Sequence, residues 1–182
     1  MRLNGTDYGK VSAYLNAGGV VGLPTEGVWG LSCRVDCLSA VERILQIKQR
    51  APSKGLIVLL TDFDQLSDWY ACPVHETALT ESGRPSTWVI PVNASCPPIL
   101  TGGRKSLAVR RVRMSLLKRI VDRVGPIVST SANRSGRAAC ESRWQVILQL
   151  SQQLDFVSHG RTQGYRKPST IRDMVSGSVI RP

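Results

Sequence analysis

Apolar segments rich in β-branched residues alternate along the chain with segments whose apolar residues recur at helical spacing. Short segments rich in apolar residues predict strands at residues 20–23, 56–60, 87–92, 107–112 and 127–130. Such runs are typical of strands buried within a sheet. The first ends at Pro24, and Pro91 indicates either an edge strand or a strand end. Shorter strands are predicted near Phe156-Val157, Thr170-Ile171 and Val179-Ile180.

Three helices are predicted between these strands. Ser39 and Glu42 have the spacing of a capping box, and the helix that they open should end near Arg50 because Pro52 follows. The second helix has its apolar face at Leu116, Leu117, Ile120, Val121 and Val124 and stops at Gly125-Pro126. The third, a long helix, has its apolar residues at Trp144, Ile147, Leu148 and Leu150.

Strands that alternate with helices favour a single α/β domain over residues 1–182, with a mixed parallel and antiparallel sheet. A chain of 182 residues builds one sizeable core and leaves little room for a second. No apolar run approaches the roughly 20 residues that a membrane helix needs. Residues 1–15 alternate polar and apolar positions and lack the apolar core of a signal peptide. We therefore expect a cytoplasmic protein that does not enter a membrane.

The formal net charge of +11 favours a polyanionic partner such as RNA, or substrates that carry several phosphates. A basic protein that is merely soluble is the alternative. The five cysteines are Cys33, Cys37, Cys72, Cys96 and Cys140. They form no C-x-x-C pair, and neither His75 nor His159 lies at zinc-finger spacing. We expect reduced, mostly buried thiols and no metal held by protein side chains.

The familiar nucleotide and hydrolase motifs are absent. Residues 101–106 resemble a phosphate-binding P-loop only superficially, and no G-x-G-x-x-G follows the first strand. Neither a G-x-S-x-G serine elbow nor an H-E-x-x-H zinc motif occurs.

Three polar clusters remain at predicted strand and helix ends, where sites form in α/β sheets. Residues 24–27 offer a hydroxyl and backbone amides for a carboxylate or phosphate, or form a simple turn. Lys48, Arg50 and Lys54 suit phosphate oxygens, with Lys48 and Arg50 expected to face solvent; alternatively they complement a helix dipole. The hydroxyl-rich residues 129–136 suit phosphate or ribose, or form local turns.

Two further polar positions follow from strand periodicity. Ser106 and Arg110 are four residues apart on one predicted strand, so their side chains should share a face. Arg181, after the last strand, is either a further phosphate ligand or part of a frayed terminus.

Taken together, these segments resemble the YrdC/TsaC family of threonylcarbamoyl-AMP synthases. The matching segments, in the family's order, are Pro24-Thr25-Glu26 with Gly30-Leu31, Lys48-Gln49-Arg50, Lys54-Gly55-Leu56-Ile57, Ser106 to Arg110, Ser129 to Gly136 and Pro168-Ser169-Thr170-Ile171. A single tripeptide carries little weight, but six ordered matches are specific. The resemblance implies a twisted α/β sheet around a basic concave cavity, of the short single-domain bacterial type.

The resemblance also implies a reaction, its substrates and its site residues. L-threonine, bicarbonate and ATP with Mg²⁺ would give threonylcarbamoyl-AMP and pyrophosphate, and a downstream transferase complex would use the product to modify tRNA. The nucleotide-binding positions would be Lys48, Arg50, Lys54, Ser106, Ser131, Asn133 and Arg181, with Lys48 and Arg50 also catalytic. The positions around threonine would be Thr25, Arg110, Ser129 and Ser169.

The chain departs from the family pattern at residues 82–87 and 111–115. Two other functions stay open. One is a structured-RNA-binding module, which would account for the charge and for contact with tRNA or double-stranded RNA. The other is transfer of a carbamoyl group to a different acceptor.

Overall fold

In a computed structural model of the chain, one nine-stranded sheet organises the fold. The structure describes residues 5–74, 85–165 and 169–181. The strands are β1 (Val21–Pro24), β2 (Trp29–Arg34), β3 (Ile57–Leu60), β4 (Ser86–Pro91), β5 (Ser106–Arg111), β6 (Ile127–Ser131), β7 (Phe156–Val157), β8 (Thr170–Asp173) and β9 (Val179–Arg181). All the strands predicted from apolar runs are present.

Five α-helices accompany the sheet in the described ranges. They are α1 (Gly5–Asn16), α2 (Leu38–Lys48), α3 (Pro98–Thr101), α4 (Ser115–Val124) and α5 (Arg143–Leu150). Short 3-10 segments occupy Pro52–Lys54, Phe63–Trp69 and Ser151–Gln153. Within those ranges no helix is both long enough and apolar enough to traverse a lipid bilayer.

The strand order is β7-β1-β2-β6-β3-β5-β4-β8-β9. Three neighbouring pairs are parallel, namely β1 with β7, β3 with β5 and β4 with β8, and the remaining pairs are antiparallel. The predicted mixed α/β sheet is therefore confirmed. Pro91 lies at the end of β4, a strand with neighbours on both sides, so it marks a strand end and not an edge.

The two faces of the sheet are covered unequally. One apolar cluster joins α2 and α5 to one face, and a second joins α1 and α4 to the other. Alternate residues of β6 show the division, because Ile127 belongs to the α1–α4 cluster and Val128 to the opposite one. Only part of the α1–α4 face is covered. Beyond that cluster the same face of the sheet forms the floor of an open cavity.

Several local predictions from the sequence are wrong. No side chain caps α2: Cys37 is its N-cap residue, and Ser39 lies inside the helix. Of the apolar residues assigned to the third predicted helix, α5, Leu150 is buried and Ile147 packs against the core, but Trp144 and Leu148 are exposed, and Val146 is buried as well. That helix has eight residues, so it is shorter than predicted.

Helix α1 was not predicted, because residues 1–15 show only alternating polar and apolar positions in the sequence. Its buried residues Val11 and Leu15 pack in the α1–α4 cluster, and the ring of Tyr8 lies 5.4 Å from the Arg119 guanidinium carbon. Packing against α4 stabilises this helix, since a weakly amphipathic segment gains little from propensity alone.

Candidate active site

The open face of the sheet borders a cavity of about 820 Å³, within the range of small-molecule sites. Residues from β3, β5 and β6 form its floor, and the turn between β1 and β2 and the chain around β8 and β9 form its sides. The predicted site residues that line it are Thr25, Arg50, Lys54, Ser106, Arg110, Ser129, Ser131, Ser169 and Arg181. Lys48 and Asn133 do not line it.

Strand β5 places two of the predicted residues on the cavity floor. Ser106, Ala108 and Arg110 line the cavity, whereas the intervening Leu107 and Val109 are buried in the opposite core. This is the shared face that the period of two predicted. Because a strand rises about 3.3 Å per residue, the two ends of this floor, at Ser106 and Arg110, are roughly 13 Å apart.

At one end, three cations gather around the turn at residues 53–55. Arg50 Nη2 donates to the Gly55 carbonyl oxygen at 3.0 Å. Arg104 Nη2 donates to the Ser53 carbonyl oxygen at 2.8 Å, and both arginines line the cavity with Lys54. Burial and the nearby Arg104 charge lower the pKa of the Arg50 guanidinium, although arginine stays charged. This end of the cavity therefore attracts anions.

The other end holds an ion pair. Arg110 Nη2 lies 3.2 Å from Glu26 Oε2, and the side chains are only 12% and 3% exposed. Burial lowers the pKa of Arg110, and the Glu26 carboxylate counteracts that shift. The sequence predicted Arg110 here but not Glu26. The backbone amide of Tyr165 donates to the Glu26 carbonyl oxygen at 3.2 Å, which holds residue 165 beside this end of the cavity.

Thr25 and Ser129 both pack against Gly30. A Cβ atom built on Gly30 would lie 3.0 Å from Ser129 Oγ and 3.2 Å from Thr25 Cγ2, so glycine allows these residues to pack closely. Thr25 Oγ1 donates to the Val28 carbonyl oxygen at 2.6 Å, which stabilises the turn between β1 and β2.

Ser169 connects the start of β8 to the rest of the cavity. Its hydroxyl lies 2.9 Å from Thr87 Oγ1, and its carbonyl oxygen accepts from Arg181 Nη2 at 3.0 Å. Thr87 belongs to the divergent segment 82–87 and is fully buried. Residues 82–84 of that segment lie outside the described ranges, as do His75 and Pro168. In the second divergent segment, Val112 and Met114 are buried in the α1–α4 core and do not line the cavity.

The predicted exposure of Lys48 is wrong. The side chain is 2% exposed, and its Nζ donates to the carbonyl oxygens of Ser131 and Asn133 and to Asn133 Oδ1. Helix α2 packs on the face of the sheet opposite the cavity, so a residue in its last turn is directed into the loop after β6. Gln49 then adopts a left-handed conformation, with φ 49°, and the chain turns so that Arg50 reaches the cavity.

The loop that Lys48 holds is itself strongly hydrogen bonded. Ser131 Oγ donates to Asn133 Oδ1 at 2.6 Å, and Asn133 Nδ2 donates to the Arg137 carbonyl oxygen at 2.6 Å. The Ser135 amide donates to the Lys48 carbonyl oxygen at 2.7 Å. Lys48 and Asn133 thus position the loop that carries Ser131. Their direct contact with a nucleotide stays a prediction.

Lys48 should titrate well below an ordinary lysine. Burial, reinforced by the Arg50 charge, lowers its pKa from 10.5 to about 8. Between these values the unfolded chain binds the proton more tightly than the folded one. The penalty for burying the charge is therefore complete below pH 8 and is relieved as pH rises. Relative to Lys48→Met, the free energy of unfolding should rise by at most about 1.4 kcal/mol per pH unit in this window.

Nuclear magnetic resonance of ¹³C-labelled lysine side chains checks this directly. One resonance with a midpoint near pH 8 should be present and should disappear in Lys48→Met. Lys118 is exposed on α4, and the control variant Lys118→Met should leave the resonance with a midpoint near pH 8 in place. A midpoint near 10 for every lysine would contradict the expectation.

The cysteines agree with the predicted burial. Cys33, Cys96 and Cys140 are buried, Cys37 and Cys72 are half-buried, and all five are free thiols. Among the described residues, no three His, Cys, Asp or Glu side chains form a group that could hold a metal ion.

Comparison with known proteins agrees with the fold and with the predicted family. A sequence model of the Sua5/YciO/YrdC family, described as telomere recombination, matches residues 13–182. Threonylcarbamoyl-AMP synthase of Stutzerimonas stutzeri is 42% identical over 177 residues, which cover 95% of each chain. The protein of the same name from Pseudomonas aeruginosa strain PAO1 is 40% identical over 91% of each chain.

Solved structures extend the comparison. P. abyssi Sua5 complexed with L-threonine has a TM-score of 0.89 and 25% identity, and the match covers all of this chain and 55% of that one. The chain thus spans about half of that protein, but nearly the whole length of the bacterial relatives. E. coli YciO, at 22% identity and a TM-score of 0.79, shares the fold. Since the family model spans most of the sequence and the relatives exceed 30% identity over nearly all of it, the chain belongs to the Sua5/YciO/YrdC family.

Proposed function

We propose that the protein is a threonylcarbamoyl-AMP synthase, which converts L-threonine, bicarbonate and ATP into threonylcarbamoyl-AMP and pyrophosphate. The observation that carries this proposal is the division of one cavity into a cationic end and an end with a buried Glu26–Arg110 pair. The relatives named for this activity, which match nearly the whole chain, support it. The product would serve a downstream transferase complex that modifies tRNA.

The cationic end suits the phosphates of ATP. Arg50 and Arg104 have guanidinium groups that donate in a planar fork, and Lys54 adds a point charge. Hydrogen bonds hold the Arg50 and Arg104 side chains on the turn at 53–55, so these two side chains need little reorganisation when a polyphosphate binds. Ser106 and Ser131 supply hydroxyls on the adjoining cavity surface.

The other end suits the amino acid. Arg110 binds the carboxylate of threonine, and the side chains of Thr25, Ser129 and Ser169 surround the rest of the molecule. Arg181, held on the Ser169 carbonyl oxygen, lines the cavity from β9 and contributes to nucleotide binding.

Chemistry then requires mainly orientation and charge stabilisation. The threonine amine and bicarbonate form a carbamate with loss of water, and a carbamate oxygen attacks the α-phosphorus while pyrophosphate leaves. Placing both reactants in one cavity turns the second step into an effectively unimolecular one. Arg50, Lys54 and Arg104 stabilise the charge that develops on the leaving pyrophosphate. Lys48 acts indirectly on the nucleotide, since it positions the loop that carries Ser131.

A magnesium ion fits this arrangement as a companion of ATP. Glu26 is the one carboxylate among the described cavity-lining residues, and it is paired with Arg110. The phosphate oxygens of ATP would therefore supply the ligands of Mg²⁺ that protein side chains do not. When bound, Mg²⁺ would neutralise phosphate charge.

Purified protein should release pyrophosphate only when ATP, threonine and bicarbonate are all present, and mass spectrometry should detect threonylcarbamoyl-AMP. Arg50→Ala should lower the rate roughly ten- to a hundredfold, because a charge-assisted contact is worth about 1.5–3 kcal/mol. Arg123 is exposed on α4 and does not line the cavity, so Arg123→Ala is the matched control. Equal rates in Arg50→Ala and Arg123→Ala would show that Arg50 does not bind the phosphates.

The same assay separates the rival functions. An RNA-binding module would release no pyrophosphate in response to threonine and bicarbonate. Arg104 and Arg110, which contribute to the positive charge that favours that alternative, line the cavity. Replacing threonine with other amino acids in the assay tests transfer to a different acceptor. Direct contact with tRNA or double-stranded RNA is tested by binding measurements over a range of salt concentrations.

A further inference from the structure

Glu26 introduces a negative charge into a cavity that is otherwise basic. Among the described residues that line the cavity, Glu26 is the one acidic side chain, against Arg50, Lys54, Arg104, Arg110 and Arg181. Its carboxylate is almost fully buried. A charge in such a place is unfavourable unless it is paired, and its partner is Arg110, 3.2 Å away.

The pair divides the cavity into two electrostatic environments. Around the turn at 53–55 the described side chains carry net positive charge, whereas the charges of Glu26 and Arg110 cancel. Along β5 the two environments are roughly 13 Å apart, by the rise per residue. The first suits a polyphosphate. The second attracts a simple anion far less, because a carboxylate that approaches Arg110 also approaches Glu26.

The pair is incompletely satisfied in its hydrogen bonding. Within the described part of the chain, neither Glu26 Oε2 nor Arg110 Nε has a hydrogen-bond partner, although both atoms are buried. Buried polar atoms in native proteins are nearly always bonded. Glu26 Oε2 therefore meets Arg110 Nη2 as an ion pair without hydrogen-bond geometry, and Arg110 Nε donates no hydrogen bond. A carboxylate and a guanidinium with hydrogen-bonding capacity to spare, side by side at a cavity, match a ligand that presents a cation and an anion on adjacent atoms.

We propose that Glu26 binds the α-ammonium group of the amino acid while Arg110 binds its carboxylate, so that the pair selects a zwitterion over a plain anion. This inference rests on the proposed function and adds a specificity-determining residue to it. Because the charges of the pair cancel, a polyphosphate is attracted more strongly to the cationic end of the cavity.

Two analogues of L-threonine test the inference on the unaltered protein. 3-Hydroxybutanoate lacks the ammonium group, and 1-aminopropan-2-ol lacks the carboxylate. Isothermal titration calorimetry, with and without a nonhydrolysable ATP analogue, should show both binding at least about tenfold more weakly than threonine, since each loses a charge-assisted contact. If 3-hydroxybutanoate binds as tightly as threonine, Glu26 does not recognise the ammonium group.

Glu26→Gln provides the second arm, because it removes the charge and keeps the shape. Threonine should bind about tenfold more weakly and 3-hydroxybutanoate more tightly, since Arg110 is no longer neutralised. A purely structural role would weaken both ligands together. Glu42, exposed on α2 and away from the cavity, gives the control variant Glu42→Gln, which should bind like the unaltered protein.

The outcomes separate the two claims. Absence of threonine binding to the unaltered protein, under both nucleotide conditions, overturns the proposed function together with the inference. Threonine binding with an unchanged preference over 3-hydroxybutanoate in folded Glu26→Gln overturns the inference alone. Should Glu26→Gln fail to fold by circular dichroism, the analogue series on the unaltered protein still decides.

Discussion

Replacing Arg110 with methionine should lower the free energy of unfolding by about 3–5 kcal/mol, because the Glu26 carboxylate would remain buried without its partner. Methionine retains much of the aliphatic volume, so lost packing contributes little. Urea denaturation followed by circular dichroism measures the change. The double variant Glu26→Gln/Arg110→Met should recover most of the loss, since it removes the uncompensated charge.

The same position should separate the substrates. Arg110→Lys keeps a charge beside Glu26, and it should fold while raising the KM for threonine more than the KM for ATP. Equal changes in the two KM values would move Arg110 to the phosphate end. A single Arg110→Met variant as stable as the unaltered protein would show that Glu26 does not depend on this pairing.

Gly102→Ala should distort the phosphate end of the cavity. Gly102 has φ 68°, and a Cβ atom there would lie 2.6 Å from the Ser53 carbonyl oxygen and 2.7 Å from the Gly55 amide nitrogen. Because both neighbours are backbone atoms, the turn that carries Lys54 must move. We expect about 2–4 kcal/mol of destabilisation, from left-handed strain and overpacking together. The KM for ATP should rise more than that for threonine.

Gly103→Ala is the matched control. Gly103 has a similar left-handed conformation, with φ 78°, but a Cβ atom would meet nothing within 4 Å. It should therefore show only the strain of about 1–2 kcal/mol and little change in the KM for ATP. If the two alanine variants behave alike in thermal unfolding and in substrate kinetics, the contact with the turn at 53–55 is not what requires glycine at 102.

The amino-acid sequence by itself predicted eight of the nine described strands, all except β2. The run at residues 56–60 is apolar because β3 is an interior strand, and that burial leaves a signal in any single sequence. The alternation along β5 also placed Ser106 and Arg110 on one face correctly. Both properties are local, since they depend on the period of the strand and on residues a few positions apart.

The ends of helices, and helices with weak local signals, depend on tertiary packing. Ser39 and Glu42 have the spacing of a capping box, yet the N-cap of α2 is Cys37, two residues earlier, where the chain leaves β2 and packs on the sheet. Helix α1 is stabilised by its contact with α4, a segment far along the chain. Tertiary packing overrides local preference in both cases.

The tertiary structure alone decided which charges belong to the cavity. Lys48 and Arg50 are two positions apart in one motif, but the left-handed turn at Gln49 sends Lys48 into a loop and Arg50 to the substrate cavity. Glu26 follows Thr25, a predicted threonine-binding residue, but nothing in the sequence indicated which residue pairs with Glu26. Glu26 pairs with Arg110 because the turn after β1 and strand β5 meet at the open face of the sheet. The strand order brings them together, and no local sequence pattern encodes strand order.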